Sequence, residues 1–243
     1  MSIMGTRVLR TEDPRLLTHG GVYTDDLRVP ELTGAAYVTI VRSPLAHGLI
    51  TGIDASAAAA MPGVVAVLTA ADLPAPAEGG DPAAEPLLAG DRVRYVGEPV
   101  ALVLTEGRYQ GEDAAELVSV DYDPLPAVPT LGEALTGETL LFPGTDSNVL
   151  GSGTAGECDD AAFDACEVVI ERTIVNQRLA PVPLEPRAMA AAWTGDRLTI
   201  WSSTQNPQLA RGAIAGTLGM DPAAKSSIAR SIAAAASGRP APR

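Results

Sequence analysis

Aromatic residues are scarce. Phe, Trp and Tyr make up 4% of the 243 residues, with only two Phe and two Trp. Burial therefore falls to Val, Leu, Ile and Ala. There are two cysteines, Cys158 and Cys166, and two histidines, His19 and His47. The cysteines lie eight apart in an acidic stretch, with neither zinc-ligand spacing nor an oxidising context. They read as ordinary thiols rather than a disulfide or metal pair. No strained G-x-S-x-G elbow accompanies Ser43, so the histidines with Ser43 and Asp25 or Asp54 make no convincing hydrolytic triad. Basic residues are also few, 17 against 30 acidic, a net charge of −13. That balance argues against nucleic acid and against an anionic membrane surface as partners. No apolar run approaches the roughly 20 residues of a membrane-spanning helix. The first residues, MSIMGTRVLRTEDPR, lack the apolar stretch of a secretory signal, so a cytoplasmic protein is expected.

What is present is a regular alternation of short strands and helices, organised around residues 92–128. Val93, Tyr95 and Val100–Leu104 read as strand, broken by a Gly97-Glu98-Pro99 turn. A short helix is expected over Glu112–Leu117, and a further strand over Val118–Tyr122 that Pro124 and Pro126 end. Upstream, strands are expected over Gly34–Val41, Leu49–Asp54 and Val64–Thr69, with a helix from Ala55 to Met61 capped by Asp54. The stretch from Pro74 to Gly90 reads as a proline-rich loop. Downstream, Leu131–Leu135 suggests one helical turn, Asp159–Cys166 a short acidic helix and Val168–Val175 an alternating strand. A hairpin is expected for Ala188–Trp193 and Leu198–Trp201 around Thr194-Gly195-Asp196. Pro207–Leu218 reads as a helix, with Pro207 in its first turn and Gly219 just past its end. This order favours an α+β fold over a doubly wound sheet. It divides into a first domain at 10–136, a Gly/Thr/Asn-rich linker at 137–156 and a second segment at 157–224.

Residues 225–243 change character. They carry four positive charges and no acid, whereas the preceding body carries a net −17. This reads as an aberrant, disordered tail, and a frameshift would account for its Ala-rich run at 233–236.

Several constellations bear on chemistry. Gly151-x-Gly153-x-x-Gly156 spells a dinucleotide fingerprint. Only Asn148-Val149-Leu150 precedes it, too short for a buried strand, and Asp159 and Asp160 would repel a pyrophosphate. It reads as a flexible loop. Gln205 stands between the expected strand ending at Trp201 and the helix starting at Pro207, where residue type alone makes it a turn residue. Glu185 and Arg187 straddle a proline and are expected to form a buried, structural ion pair.

The strings VRYVGEPVALVL (93–104) and DAAELVSVDYDPLPAV (113–128) resemble the hammerhead domain of molybdenum hydroxylase large subunits, the family of xanthine dehydrogenase, aldehyde oxidase and carbon monoxide dehydrogenase large chains. The likeness continues through EDPRLLTHGGVYTDD, RSPLAHGLITGIDASAAAAMPGVVAVLTAADL, QRLAPVPLEPRAMAA and WSSTQNPQLARGAIAGTLGMDP. It implies an α/β-hammerhead domain followed by the truncated start of a molybdopterin-binding α+β domain. It further implies that Gln205 is a cofactor-binding residue near molybdenum, its amide donating to an oxo ligand. A carboxamide offers donors there without adding charge. Gln177, Glu185 and Arg187 would support the cofactor domain. No catalytic residue and no protein metal ligand is expected, because the family's glutamate base lies near the far end of the large subunit. Intact relatives carry a molybdenum–molybdopterin cofactor, in bacteria the cytosine dinucleotide form, which this segment is not expected to retain. The implied partners are a flavin-containing medium subunit and a 2Fe-2S small subunit within an oligomer. The segment is expected to be inactive alone. The alternative is a non-catalytic module that docks to flavin or iron–sulfur partners, or to a complementing C-terminal polypeptide.

Overall fold

A computed structural model describes residues 4–5, 10–11, 13–74, 83–153, 160–177 and 179–220, and the backbone of 226–230. The chain divides into two compact units, Ala36–Arg172 and a discontinuous one made of Met1–Ala35 with Thr173–Arg243. The leader thus belongs with the late segment. It contributes helix α1 (Asp13–His19) and two 3-10 turns, Thr24–Asp26 and Pro30–Leu32.

The Ala36–Arg172 unit contains β1 (Tyr37–Arg42), β2 (Gly48–Asp54), α2 (Ser56–Ala59), β3 (Val64–Thr69), β4 (Arg92–Val93), β5 (Pro99–Thr105), α3 (Arg108–Ala115), β6 (Ser119–Pro124) and α4 (Leu131–Thr136). Its strands form two antiparallel three-stranded sheets, β1-β5-β3 and β4-β2-β6. The Val-rich run read as strand is the centre of the first sheet. Along β5 the buried Ala101, Val103 and Thr105 alternate with the half-buried Leu102 and Leu104, the period of two that separates the faces of a strand. Helix α3 packs on β1 and β5. A second cluster gathers Ala89, Val93 and Val100 with Leu45, Ile50, Ile53, Val120 and Tyr122.

Three expectations need correction in this unit. Helix α3 begins at Arg108, four residues before Glu112, and ends at Ala115. The Gly107 amide donates to Gln110 Oε1 at 2.9 Å, which starts the helix early. Gly111, a weak helix former, is retained because the helix lies close against β1 there. Helix α2 is a single turn, although Asp54 does receive the Ser56 amide at 2.9 Å. The Ser56 hydroxyl, and to a lesser degree that amide, hold the Asp54 carboxyl below the usual aspartate range. The described part of the segment read as a linker, 137–153, folds back onto its own unit at Phe142 and Asn148. Gly137 closes α4 in the left-handed region, and Phe142 is buried. The Asn148 side chain accepts from Leu141 N at 2.9 Å and donates to Thr139 O at 2.8 Å and Ala134 O at 3.3 Å. Composition suggested a tether, but one buried aromatic and one amide bracket make it a closed loop.

Burial raises the Tyr122 phenol above the usual tyrosine value, and its hydrogen bond to the Ser43 side chain opposes this more weakly. The unfolded chain therefore ionises first. This contribution to stability is whole below about pH 10 and is lost as pH rises through the folded value. Denaturant titrations at pH 8 and 11 should show a decrease that Tyr122→Phe reduces; an equal decrease in both proteins would refute the assignment.

In the second unit β7 (Met189–Thr194) and β8 (Arg197–Ser202) form the expected hairpin, turning at Gly195 with φ +61°. Helix α5 (Pro207–Thr217) follows, and Gly219 lies just past its end in the left-handed region. Strand β9 (Ser226–Arg230) pairs parallel to β8. The expected disordered tail is thus corrected at its start: α5 supplies the crossover that a parallel pair requires, and 226–230 complete the sheet. Residues 231–243 lie outside the described residues. Two further expectations fail. Residues 168–175 form no strand, since alternation specifies one only where a neighbour supplies hydrogen bonds, and no described strand runs beside it. The acidic helix shrinks to the 3-10 turn Asp160–Phe163.

Candidate functional site

The turn at residues 203–206 joins the end of β8 to the start of α5. Its footing is firm because Leu198, Ile200 and Ser202 of β8 are buried. On the far side Asn206 caps α5, its Oδ1 accepting from Leu209 N at 3.2 Å with Pro207 at the first position. Ser203 ties the turn to residues 186–188. Its amide donates to Ala188 O at 3.0 Å. Its hydroxyl accepts from Ala188 N at 2.8 Å and presents its proton to Pro186 O at 3.0 Å and Ala188 O at 3.2 Å. Thr204 N donates to Ser202 O at 3.0 Å, and Asn206 N to Thr204 Oγ1 at 3.2 Å. Gln205 thus sits exposed on a turn whose backbone is pinned on both sides.

Glu185 is half-buried, and its Oε1 accepts the backbone amide of Thr24 at 2.6 Å. Arg187 is exposed, so the expected buried Glu185–Arg187 pair is not what the structure holds. The carboxylate accepts from a backbone donor, and the Arg187 guanidinium stays in water. Gln177 is exposed and makes no hydrogen bond or ion pair among the described residues; Arg178 lies outside them. The structure therefore brings the 185–188 segment to the Gln205 turn through Ser203. Sequence reasoning missed Ser203, which holds the two together. A serine in Ser-Ser-Thr carries no distinguishing mark, and its role depends on a carbonyl and an amide fifteen residues away.

The weaker candidates resolve plainly. Gly151 and Gly153 are exposed and outside any element, with 154–159, including Gly156 and Cys158, beyond the described residues. Cys166 is a free, exposed thiol. His47 is buried, its Nδ1 bonded to Pro126 O at 2.7 Å, and His19 is exposed with its Nδ1 2.6 Å from Thr18 Oγ1. Neither histidine is bonded to Ser43 among the described residues. No group of three or more His, Cys, Asp or Glu placed to hold a metal occurs among the described residues. No helix among them is long and apolar enough to cross a membrane.

Residues 18–126 match the aldehyde oxidase and xanthine dehydrogenase a/b hammerhead domain, and residues 141–231 match the molybdopterin cofactor-binding domain. The chain belongs to the molybdenum hydroxylase large-subunit family. Among similar molybdenum hydroxylase proteins, the nicotine 6-hydroxylase large subunit of Paenarthrobacter nicotinovorans is 41% identical over 232 residues, 90% of this chain and 28% of that one. The carbon monoxide dehydrogenase large chain of Hydrogenophaga pseudoflava is 37% identical, over 86% of this chain and 28% of its own length. Quinoline 2-oxidoreductase from Pseudomonas putida 86 superposes with a TM-score of 0.79 at 33% identity, covering 95% of this chain and 30% of that chain. The chain thus spans less than a third of the length of these molybdenum hydroxylase relatives. Its fold is the family's hammerhead domain with the start of the cofactor-binding domain.

Proposed function

We propose that this chain is the hammerhead and first cofactor-domain portion of a molybdenum hydroxylase large subunit, and that Gln205 donates a side-chain N–H to an oxo ligand of the cofactor's metal. The observation that carries this reading is the placement of Gln205. It is exposed on a turn held by Ser203 on one side and the Asn206 cap on the other. The residues present fit the group in one respect. A neutral carboxamide on a pinned turn can donate toward an anionic metal centre without adding charge. When bound, the cofactor supplies the metal centre for hydroxylation and takes up the electrons. The chain's own part is to present one N–H in a fixed direction and to keep the turn from yielding. The cytosine dinucleotide form of the cofactor, a flavin-containing medium subunit and a 2Fe-2S small subunit complete the proposed assembly. The higher identity to a nicotine hydroxylase than to a carbon monoxide dehydrogenase favours an N-heteroaromatic substrate.

The segment by itself is proposed to be inactive and to retain no cofactor, because a single exposed donor is too little to hold one. Purified from cells that make molybdopterin, it should contain no stoichiometric molybdenum and hydroxylate neither nicotine nor quinoline; turnover would refute this. Joined to the remainder of the large subunit, a Gln205→Ala variant should lose about 10–100-fold in kcat/KM while keeping its metal. Unchanged kinetics would remove Gln205 from the site.

A second reading, a docking module for a complementing polypeptide, has one observation in its favour. Ile174, Val175, Val182 and Leu184 are all exposed, and exposed apolar side chains in such number along one segment invite a covering chain. Co-purification with the complementing C-terminal polypeptide would support it, and a monodisperse monomer in the presence of that polypeptide would refute it.

A further inference from the structure

We infer that Glu185 is a positioning residue: it couples the leader at Thr24 to the turn that carries Gln205. The coupling runs through named atoms. Thr24 N donates to Glu185 Oε1 at 2.6 Å across 161 residues of sequence, and Thr24 is itself buried. The next residue, Pro186, presents its carbonyl to Ser203 Oγ at 3.0 Å, and Ala188 meets the same hydroxyl through its amide at 2.8 Å. Gln205 lies two residues beyond Ser203. Both ends of the relay are stiff. At the leader, Asp26 Oδ2 accepts from Tyr23 N at 3.2 Å and Arg28 Nη1 donates to Asp25 O at 3.0 Å, closing the 3-10 turn around Thr24. In the middle, Pro186 restricts the backbone of Glu185, so leader movement beyond the reach of the Glu185 side-chain torsions pulls the 186–188 segment. At the far end Asn206 caps α5. Between two fixed ends, displacement of the leader is passed to the short stretch that includes Gln205. A hydrogen bond with one charged partner is among the stronger ones in proteins, which suits it to hold segments so distant in sequence.

This rests on the proposed role of Gln205 for its functional meaning, while the coupling is measured without any cofactor. In the 15N-labelled chain, Glu185→Ala should shift the Thr24 amide resonance, speed its exchange with water by about tenfold or more, and move the Gln205 side-chain amide pair. Glu185→Gln keeps the side chain's volume and an acceptor oxygen and should restore both signals, which a loss of charge alone would not predict. Thr24→Pro tests the link from the other end and serves if Glu185→Ala does not fold. Residue 24 opens a 3-10 turn and follows Tyr23 at φ −81°, ψ 161°, the extended geometry favoured before proline, so the donor is deleted without opposing the local backbone, and Thr24→Val controls for the loss of the Thr24 hydroxyl. It should move Gln205 in the same direction as Glu185→Ala. Ser203→Ala should move Gln205 and leave Thr24 where it is. A Gln205 amide pair unmoved by both Glu185→Ala and Thr24→Pro overturns the inference, as does failure of Glu185→Gln to restore it. Full activity of a Gln205→Ala variant in the completed subunit would instead refute the functional reading and leave the coupling standing.

Discussion

Replacing Glu98 with Ala is expected to destabilise the Ala36–Arg172 unit by about 3–5 kcal/mol. Glu98 stands in the Gly97-Glu98-Pro99 turn, yet it is 2% exposed. Its carboxylate bonds Arg94 Nη1 at 3.0 Å and also receives the Arg94 backbone amide. The Arg94 side chain is 10% exposed, its guanidinium lies over the Phe142 ring at 4.9 Å, and its Nε has no partner among the described residues. Asp91, 3.7 Å away and largely exposed, is too well solvated to replace Glu98. Removing the carboxylate leaves a buried cation with an aromatic face, the Arg92 carbonyl at 3.2 Å and a screened acid, none of which supplies a buried counter-charge. The same turn carries the clasp between Ser43 and residues 97–98, in which Gly97 N donates to Ser43 O at 2.8 Å and Ser43 N to Glu98 O at 2.9 Å. Urea denaturation should show the loss as a lower midpoint. A double variant, Glu98→Leu with Arg94→Met, should recover most of it, because well-packed apolar replacement of both partners is close to neutral. A double variant as unstable as Glu98→Ala would mean that the turn's backbone, and not the buried charge, dominates.

Gly111→Val should cost the same unit about 3 kcal/mol, near the upper end for overpacking. An added Cβ on Gly111 would overlap Thr39 Oγ1 and lie 3.1 Å from Thr39 Cβ and 3.3 Å from Thr105 Oγ1. Rotation of the Thr39 side chain relieves the first contact only, since its Cβ is fixed by β1, which pairs in register with β5 on the other side. Helix α3 would have to lift away from the sheet. A better helix former normally gains up to about 1 kcal/mol over glycine, and here the contact outweighs it. Equilibrium unfolding of Gly111→Ala against Gly111→Val separates the two effects. The alanine should be the milder, and equal stability of wild type and valine would show that the helix has room to move.

How much was legible varies element by element. The central strand was readable because Val100–Leu104 is a continuous apolar run between a Gly-Glu-Pro turn and a polar exit. The β7–β8 hairpin was readable from Gly195, and α5 from Pro207 and Gly219, each a residue whose own backbone preference marks an end. The start of α3 was hidden by Gly111, whose weak helix preference is overridden by a close approach to a strand some seventy residues earlier. The supposed strand at 168–175 shows the opposite failure. Its alternation is correct for a strand, but pairing is a property of two segments and no described neighbour provides it. The segment at 137–156 looked like a tether because Gly and Thr counts say nothing about one Phe finding an Arg.

The candidate site divides the same way. Gln205 could be picked out because its turn is bounded by a strand end and a proline-started helix, and because the surrounding motif resembles a known family. Its supports could not. Ser203 acts through main-chain groups, and Glu185 through the amide of Thr24, and a backbone donor is the same at every non-proline position, so it leaves no trace in sequence. The sequence by itself determined the α+β class, the order of the elements, the family and the turn that bears Gln205, because apolar periodicity and turn residues act locally. Only the tertiary structure decided that the leader joins the late segment, that Glu98 is buried against Arg94, and that Glu185 binds Thr24 instead of Arg187. Those outcomes depend on which groups lose their water together, and that is settled between segments far apart in the chain.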